Sequence, residues 1–252
     1  MSPASGEAPG SELRQPAPAL WEEGLCIDGP RGKLEAILSR AEKAREDSGI
    51  VIACPHPRFG GDLSNNVIAG TARFLAGRGF PVLRFNYHGV GSSDLEGHGA
   101  LERLLYWAGL SELDSRARAL EDLLAARELL AGQVGRVHAV GYSLGAILSL
   151  QLAARGLCPS VTAIALPIDA HPISDLELVT RPVLAIHAPL DFASRLEDVE
   201  LQLGKVKGPV RNRSIPGADH FFIGHEPEVA GLAAEFIEWA DGHRDSRDPM
   251  GP

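Results

Sequence analysis

Cysteine is scarce, with Cys26, Cys54 and Cys158 the only three in 252 residues. The number is odd, the spacing is wide and no CxxC pair occurs, so neither a disulfide framework nor a zinc site is expected. Basic residues are also outnumbered, 24 against 33 acidic, for a formal net charge of −9. That sign opposes a phosphate-coating surface, and nucleic acid is not an expected partner. No apolar run approaches the roughly 18 residues that span a bilayer, so no membrane role is expected. The first residues carry neither a basic start nor an apolar stretch, which argues against a signal peptide. With unpaired thiols, these absences point to a soluble protein of a reducing, cytoplasmic compartment.

What is present is ordinary for a folded domain: 44% hydrophobic and 23% charged residues, in a length that suits one α/β core. Residues 1–22 and 242–252, rich in Pro, Gly, Ser and charge, read as flexible tails around a single domain over 23–241. Short β-rich apolar runs fall at 33–40, 49–54, 81–87, 136–142, 161–166, 182–187 and 210–215. Between them, residues 65–77, 114–130, 144–155, 196–203 and 227–239 repeat apolar positions at three- and four-residue intervals, as helices packed on a sheet do. The middle strands are apolar throughout, as strands covered on both faces must be. The expected architecture is an α/β three-layer sandwich around a mostly parallel sheet, with no repeat and no second domain. The fifteen-residue connection 167–181 is too short for an independent lid. The connection 89–113 carries the apolar patch LERLLYWAGL, either a short helix packing an edge or a partial cover over a site.

The strongest local signal is Gly141-Tyr142-Ser143-Leu144-Gly145, a G-x-S-x-G pentapeptide. Alone it is weak, because a chain with 28 glycines produces such a pattern by chance at an appreciable rate. Here it lies where the apolar run VHAVGY meets the helical pattern LGAILSLQLAARG, and a strand-to-helix turn is what a nucleophile elbow requires. Ser143 is therefore the candidate nucleophile, and the amide of Leu144, first in the helix, a candidate oxyanion donor.

A serine hydroxyl needs a base, and the base needs an acid to hold its tautomer. His220, in the loop between the last strand and the last helix, sits at the carboxyl edge that also carries Ser143. His187 reads as a core histidine of a strand, while His56, His171 and His225 are loop residues with weaker claims. For the acid, Asp191 follows the strand ending at His187; Asp169 and Asp175 are alternatives, and Asp219, adjacent to His220, reads as a brace for its loop. The order Ser143, Asp191, His220 differs from the orders of chymotrypsin and subtilisin. The segment CPHPRFGG at 54–61 occupies the place of a second oxyanion donor, for which Arg58 is favoured over Phe59. Phe59, Tyr142 and His88 are candidate substrate contacts, His88 also reading as a loop hydrogen-bonder.

Four segments in order, CPHPRFGG, LRFNYHGVGSSD, GYSLGA and GADHFF, resemble those of small bacterial α/β-hydrolases of the dienelactone-hydrolase-like and esterase-type group. The resemblance spans about residues 31–240 and implies the α/β-hydrolase fold and its triad. The chain departs from the pattern at His88, where the group commonly has arginine, at Ala188, where it commonly has glycine, and in the bulkier 95–113 segment. The resulting expectation is a serine hydrolase cleaving ester or thioester bonds of small acyl substrates, without metal or organic cofactor, as a monomer or homodimer. Amide or carbon–carbon hydrolysis and a non-catalytic binding protein of the same fold are the alternatives.

Overall fold

The computed structural model describes residues 19–95, 100–168 and 173–242. Asp169, His171 and most of both expected tails lie outside them. The chain runs β1 (Leu20–Gly29), β2 (Gly32–Ala41), β3 (Gly49–Ala53), α1 (Asn66–Gly77), β4 (Val82–Phe85), α2 (Ala100–Gly109), α3 (Glu112–Ala131) and β5 (Val137–Tyr142). It continues with α4 (Leu144–Ala154), β6 (Val161–Ile164), β7 (Val183–His187), α5 (Leu196–Leu203), β8 (Val210–Ser214) and α6 (Glu226–Gly242). One sheet takes the order β1-β2-β4-β3-β5-β6-β7-β8. β1, β2 and β4 pair antiparallel, and every other neighbouring pair is parallel.

This is the α/β-hydrolase fold. The parallel strands β3, β5, β6 and β7 are buried along their whole length, because helices cover both faces of the sheet. α1 packs against α6 on one face, and α3 against α4 on the other. All parallel strands end at one edge, which collects the loops after Ala53, Tyr142 and His187. Among the described residues no helix is long and apolar enough to cross a membrane.

The sequence pattern does not predict β1, whose first three residues fall in the segment expected to be tail. It is an outer strand, exposed for most of its length, so no apolar alternation marks it. It is held by charge as well as by its ladder. Arg84 of β4 is only 2% exposed, and its Nη1 donates to Glu22 Oε1 at 2.8 Å. Arg73 of α1 donates to both Glu22 oxygens at 3.2 Å, and Ser39 Oγ of β2 donates to Oε1 at 3.1 Å. Burial alone would raise the Glu22 carboxyl, but the bonds from Arg84 and Arg73 outweigh it and hold it at about 2.

Glu22→Ala is expected to cost about 2–3 kcal/mol at pH 7, less than a fully buried pair because Glu22 keeps some contact with water. The folded carboxyl lies below its ordinary value of 4.5, so its contribution is complete above that pH and disappears as pH falls toward about 2. Urea unfolding of both proteins across that window should show the gap closing.

Candidate active site

β5 enters a sharp turn at Ser143, whose φ of 55° and ψ of −115° lie where non-glycine residues are strained. The flanking glycines make the turn possible. A Cβ at Gly141 would stand 2.0 Å from the Gly145 carbonyl oxygen, and one at Gly145 would stand 2.1 Å from the Ala53 carbonyl oxygen. Helix and strand therefore approach closely enough to lift Ser143 above the sheet edge. Its N–H is held by the Ile164 carbonyl at 2.9 Å. Leu144 opens α4, so its N–H has no carbonyl partner within the helix.

The loops after β7 and β8 are joined by their main chains. Leu190 and Asp219 form a parallel bridge, and Leu190 N–H donates to the Ala218 carbonyl at 3.2 Å. Asp219 Oδ1 accepts the Phe221 N–H at 2.9 Å, the bracing role expected of it. Asp191 lies next to this bridge with its side chain 5% exposed, and its Oδ1 accepts the Ala193 N–H at 2.7 Å. His220 Nδ1 lies 2.8 and 2.9 Å from the two Asp191 oxygens, and its Nε2 lies 3.3 Å from Ser143 Oγ. An ionised carboxylate can only accept, so Nδ1 carries the proton and Nε2 is left to accept from the serine hydroxyl. The three residues named from the sequence thus form one hydrogen-bonded chain.

The competing residues are engaged elsewhere. His187 faces Asn212 Oδ1 at 3.5 Å within the core, where burial pushes its imidazole pKa down. His225 lies 3.7 Å from Glu228, and Asp175 opens a 3-10 turn at Leu176–Leu178.

Three expectations need correction. The Arg58 amide is not an open oxyanion donor, because Pro57 begins a 3-10 turn in which the Arg58 N–H donates to His56 Nδ1 at 3.0 Å and the Phe59 N–H to the His56 carbonyl at 3.0 Å. Tyr142 is no substrate contact: it is 2% exposed, and its hydroxyl donates to the His220 carbonyl at 2.7 Å. Burial, with Asp191 and Asp219 nearby, pushes its phenol far up, so it remains a donor. His88 is 6% exposed with its ring packed 5.5 Å from that of Tyr106, while its main-chain N–H donates to Asp122 and its carbonyl accepts the Trp107 indole N–H at 3.0 Å, so the ring is covered rather than open to a substrate. Phe59 stands apart from these, 83% exposed on the turn after β3.

The 89–113 connection forms α2 beside that turn. Trp107 is buried there, its ring 5.7 Å from His56 and 5.8 Å from Tyr87. A cavity of about 650 Å³, bordered by Trp21, Arg40 and Gln133, shares no residue with the Ser143 chain.

The positioning role of Tyr142 has no signal in the sequence, because only the folded chain shows that its hydroxyl reaches the His220 main chain. Tyr142→Phe is expected to lower kcat about 5- to 10-fold with little change in KM, since one buried hydrogen bond is worth about 1 kcal/mol. Steady-state kinetics beside urea unfolding separates this from a general loss of stability, which would lower active-enzyme concentration without altering kcat per titrated site.

The dienelactone hydrolase family model matches residues 34–242. An uncharacterised protein of Rickettsia prowazekii is 25% identical over 209 residues, covering 79% of this chain and 81% of its own length. Among solved structures, an α/β serine hydrolase homologue from Coxiella burnetii superposes with a TM-score of 0.71 at 25% identity, covering 85% of this chain and 97% of that one. An α/β serine hydrolase without a lid from Xanthomonas campestris gives a TM-score of 0.71 at 24% identity, over 86% of this chain and 94% of that one.

Proposed function

The chain belongs to the dienelactone hydrolase family, and from that premise we propose that it is a serine hydrolase cleaving carboxylic ester bonds of small acyl substrates. The observation that carries this reading is the continuous hydrogen-bonded chain from Asp191 through His220 to Ser143. Ser143 Oγ attacks the acyl carbon as its proton passes to His220 Nε2, and Asp191 stabilises the imidazolium that forms. The negative charge gathering on the carbonyl oxygen meets the Leu144 N–H at the start of α4. Collapse of the tetrahedral intermediate breaks the bond to the leaving alcohol, which takes the proton from Nε2. Water, deprotonated by His220, then releases the acid and restores the serine. Every step uses side chains and one backbone amide of this chain.

The test is covalent labelling by a fluorophosphonate probe together with turnover of chromogenic esters of increasing acyl length. Labelling of the wild type at Ser143, its absence in Ser143→Ala, and highest turnover on short acyl groups are expected. Equal labelling of both proteins would falsify the assignment of the nucleophile. Matched oxygen and sulfur esters in the same assay report whether thioesters are preferred instead. A protein neither labelled nor active on any ester would be a binding protein of this fold.

A further inference from the structure

Phe192 and Phe221 directly follow Asp191 and His220 in the chain, and both are conspicuously exposed. Phe192 is 72% exposed and Phe221 49%, although large apolar side chains are usually covered. Neither projects into solvent at random. The Phe192 ring centroid lies 4.8 Å from the His220 ring, the Phe221 centroid 5.9 Å from it, and the two phenyl centroids 5.9 Å from each other. The phenyl planes are inclined at 41°. These separations fall within the range of about 4.5–7 Å for interacting aromatic rings, and both phenyl rings keep open surface for a further partner. The Leu190–Asp219 bridge fixes the two loops to one another, so the pair is presented in a constant register to His220. Leu190 and Ile223, 68% and 75% exposed, carry apolar surface on the same two loops.

The chemistry of acyl transfer assigns a side to this surface. The proton that His220 takes from Ser143 must be handed to the leaving oxygen, so the alcohol half of an ester lies against His220, while the carbonyl oxygen turns to the Leu144 amide. Groups flanking His220 therefore meet the leaving group. We propose that Phe192 and Phe221 form a leaving-group subsite that takes the planar aromatic alcohol half of an ester. This rests on the serine-hydrolase reading above and adds to it the part of the substrate that is selected. Recognition by ring faces and edges favours a planar ring over a puckered ring of equal size.

Benzyl acetate and cyclohexylmethyl acetate test this, because they share the acyl group and have alcohols of similar size; dividing by their rates with hydroxide removes the effect of the more acidic benzyl alcohol. The wild type should favour the benzyl ester in kcat/KM by about 2- to 10-fold, the range of an aromatic pair contribution. Phe192→Leu and Phe221→Leu, each at an exposed position, should bring the ratio toward unity, and Phe192→Tyr should restore it. Methyl phenylacetate and methyl cyclohexylacetate, with the ring moved to the acyl half, should show no such ratio. A wild type labelled by fluorophosphonate at Ser143 but indifferent to the alcohol ring, or selective only on the acyl half, overturns the subsite and leaves the serine-hydrolase reading standing. Absence of labelling removes both. Sedimentation of wild type and Phe192→Leu adds a further check: a dimer that the substitution dissociates would make the two rings an interface between copies and overturn the subsite.

Discussion

Ser143→Ala is expected to lower kcat on a short chromogenic ester by about 10⁶-fold, the loss that follows when a nucleophile is removed from a working Ser-His-Asp unit. The size follows from cooperation. His220 has no proton to take once Oγ is gone, and the imidazolium that Asp191 would stabilise never forms, so the bonds at 3.3 and 2.8 Å become idle together. The Leu144 amide remains, and with substrate binding it should leave a small residual rate. The fold should survive, because alanine retains the Cβ and the backbone bond from the Ser143 N–H to the Ile164 carbonyl. Active-site titration of the wild type and the folded-protein concentration of the variant, which has no nucleophile to titrate, set the scale. A loss of less than tenfold would place the nucleophile elsewhere.

Gly145→Ala is expected to cost more than about 3 kcal/mol and to abolish turnover, at the upper end of overpacking effects. The new Cβ would meet the Ala53 carbonyl oxygen at 2.1 Å, its carbon at 2.6 Å and the Cys54 carbonyl oxygen at 2.9 Å. All three are main-chain atoms, so no side chain can swing aside. Ala53 cannot retreat freely either, because it pairs with Gly141 of β5. The helix must move instead, carrying Ser143 and the Leu144 amide away from His220. Gly231→Ala in α6 is the matched control: a methyl group there would have no neighbour within 4 Å, and a gain of about 0.5–1 kcal/mol is expected from helix propensity. Urea midpoints for the two variants should move in opposite directions.

These two variants also mark what is legible in the sequence. The pentapeptide around Ser143 marks a strand-to-helix turn in the sequence itself, and the parallel strands announce themselves by runs such as GIVIA and VLAIH. Asp191 and His220 are legible because strand ends in a parallel sheet share one edge, so sequence order after a strand becomes position in space. β1 is not legible, since an outer strand that shows most of its residues to water has no apolar rhythm. Arg58 misleads because the fate of its N–H depends on where the His56 imidazole turns. Tyr142 misleads for a related reason, and His88 stays open between two readings: both are polar-tipped residues beside a site, and only tertiary packing decides that they face inward. Phe192 and Phe221 give no warning, because an aromatic residue in a string of letters carries no sign of being left uncovered.

The burial of Trp107 against His56 gives the protein an optical reporter of its own. The chain has three tryptophans, and Trp107 is 2% exposed on α2, beside the turn that follows β3, whereas Trp21 is 46% exposed on the far outer strand. Excitation of indole therefore yields a shielded, blue-shifted component from beside that turn and a hydrated, red-shifted one from the edge. Replacing Trp21 and Trp239 by phenylalanine isolates the first. Its emission then reports the surroundings of the His56 turn alone, without a dye and without altering any residue of the Ser143 chain.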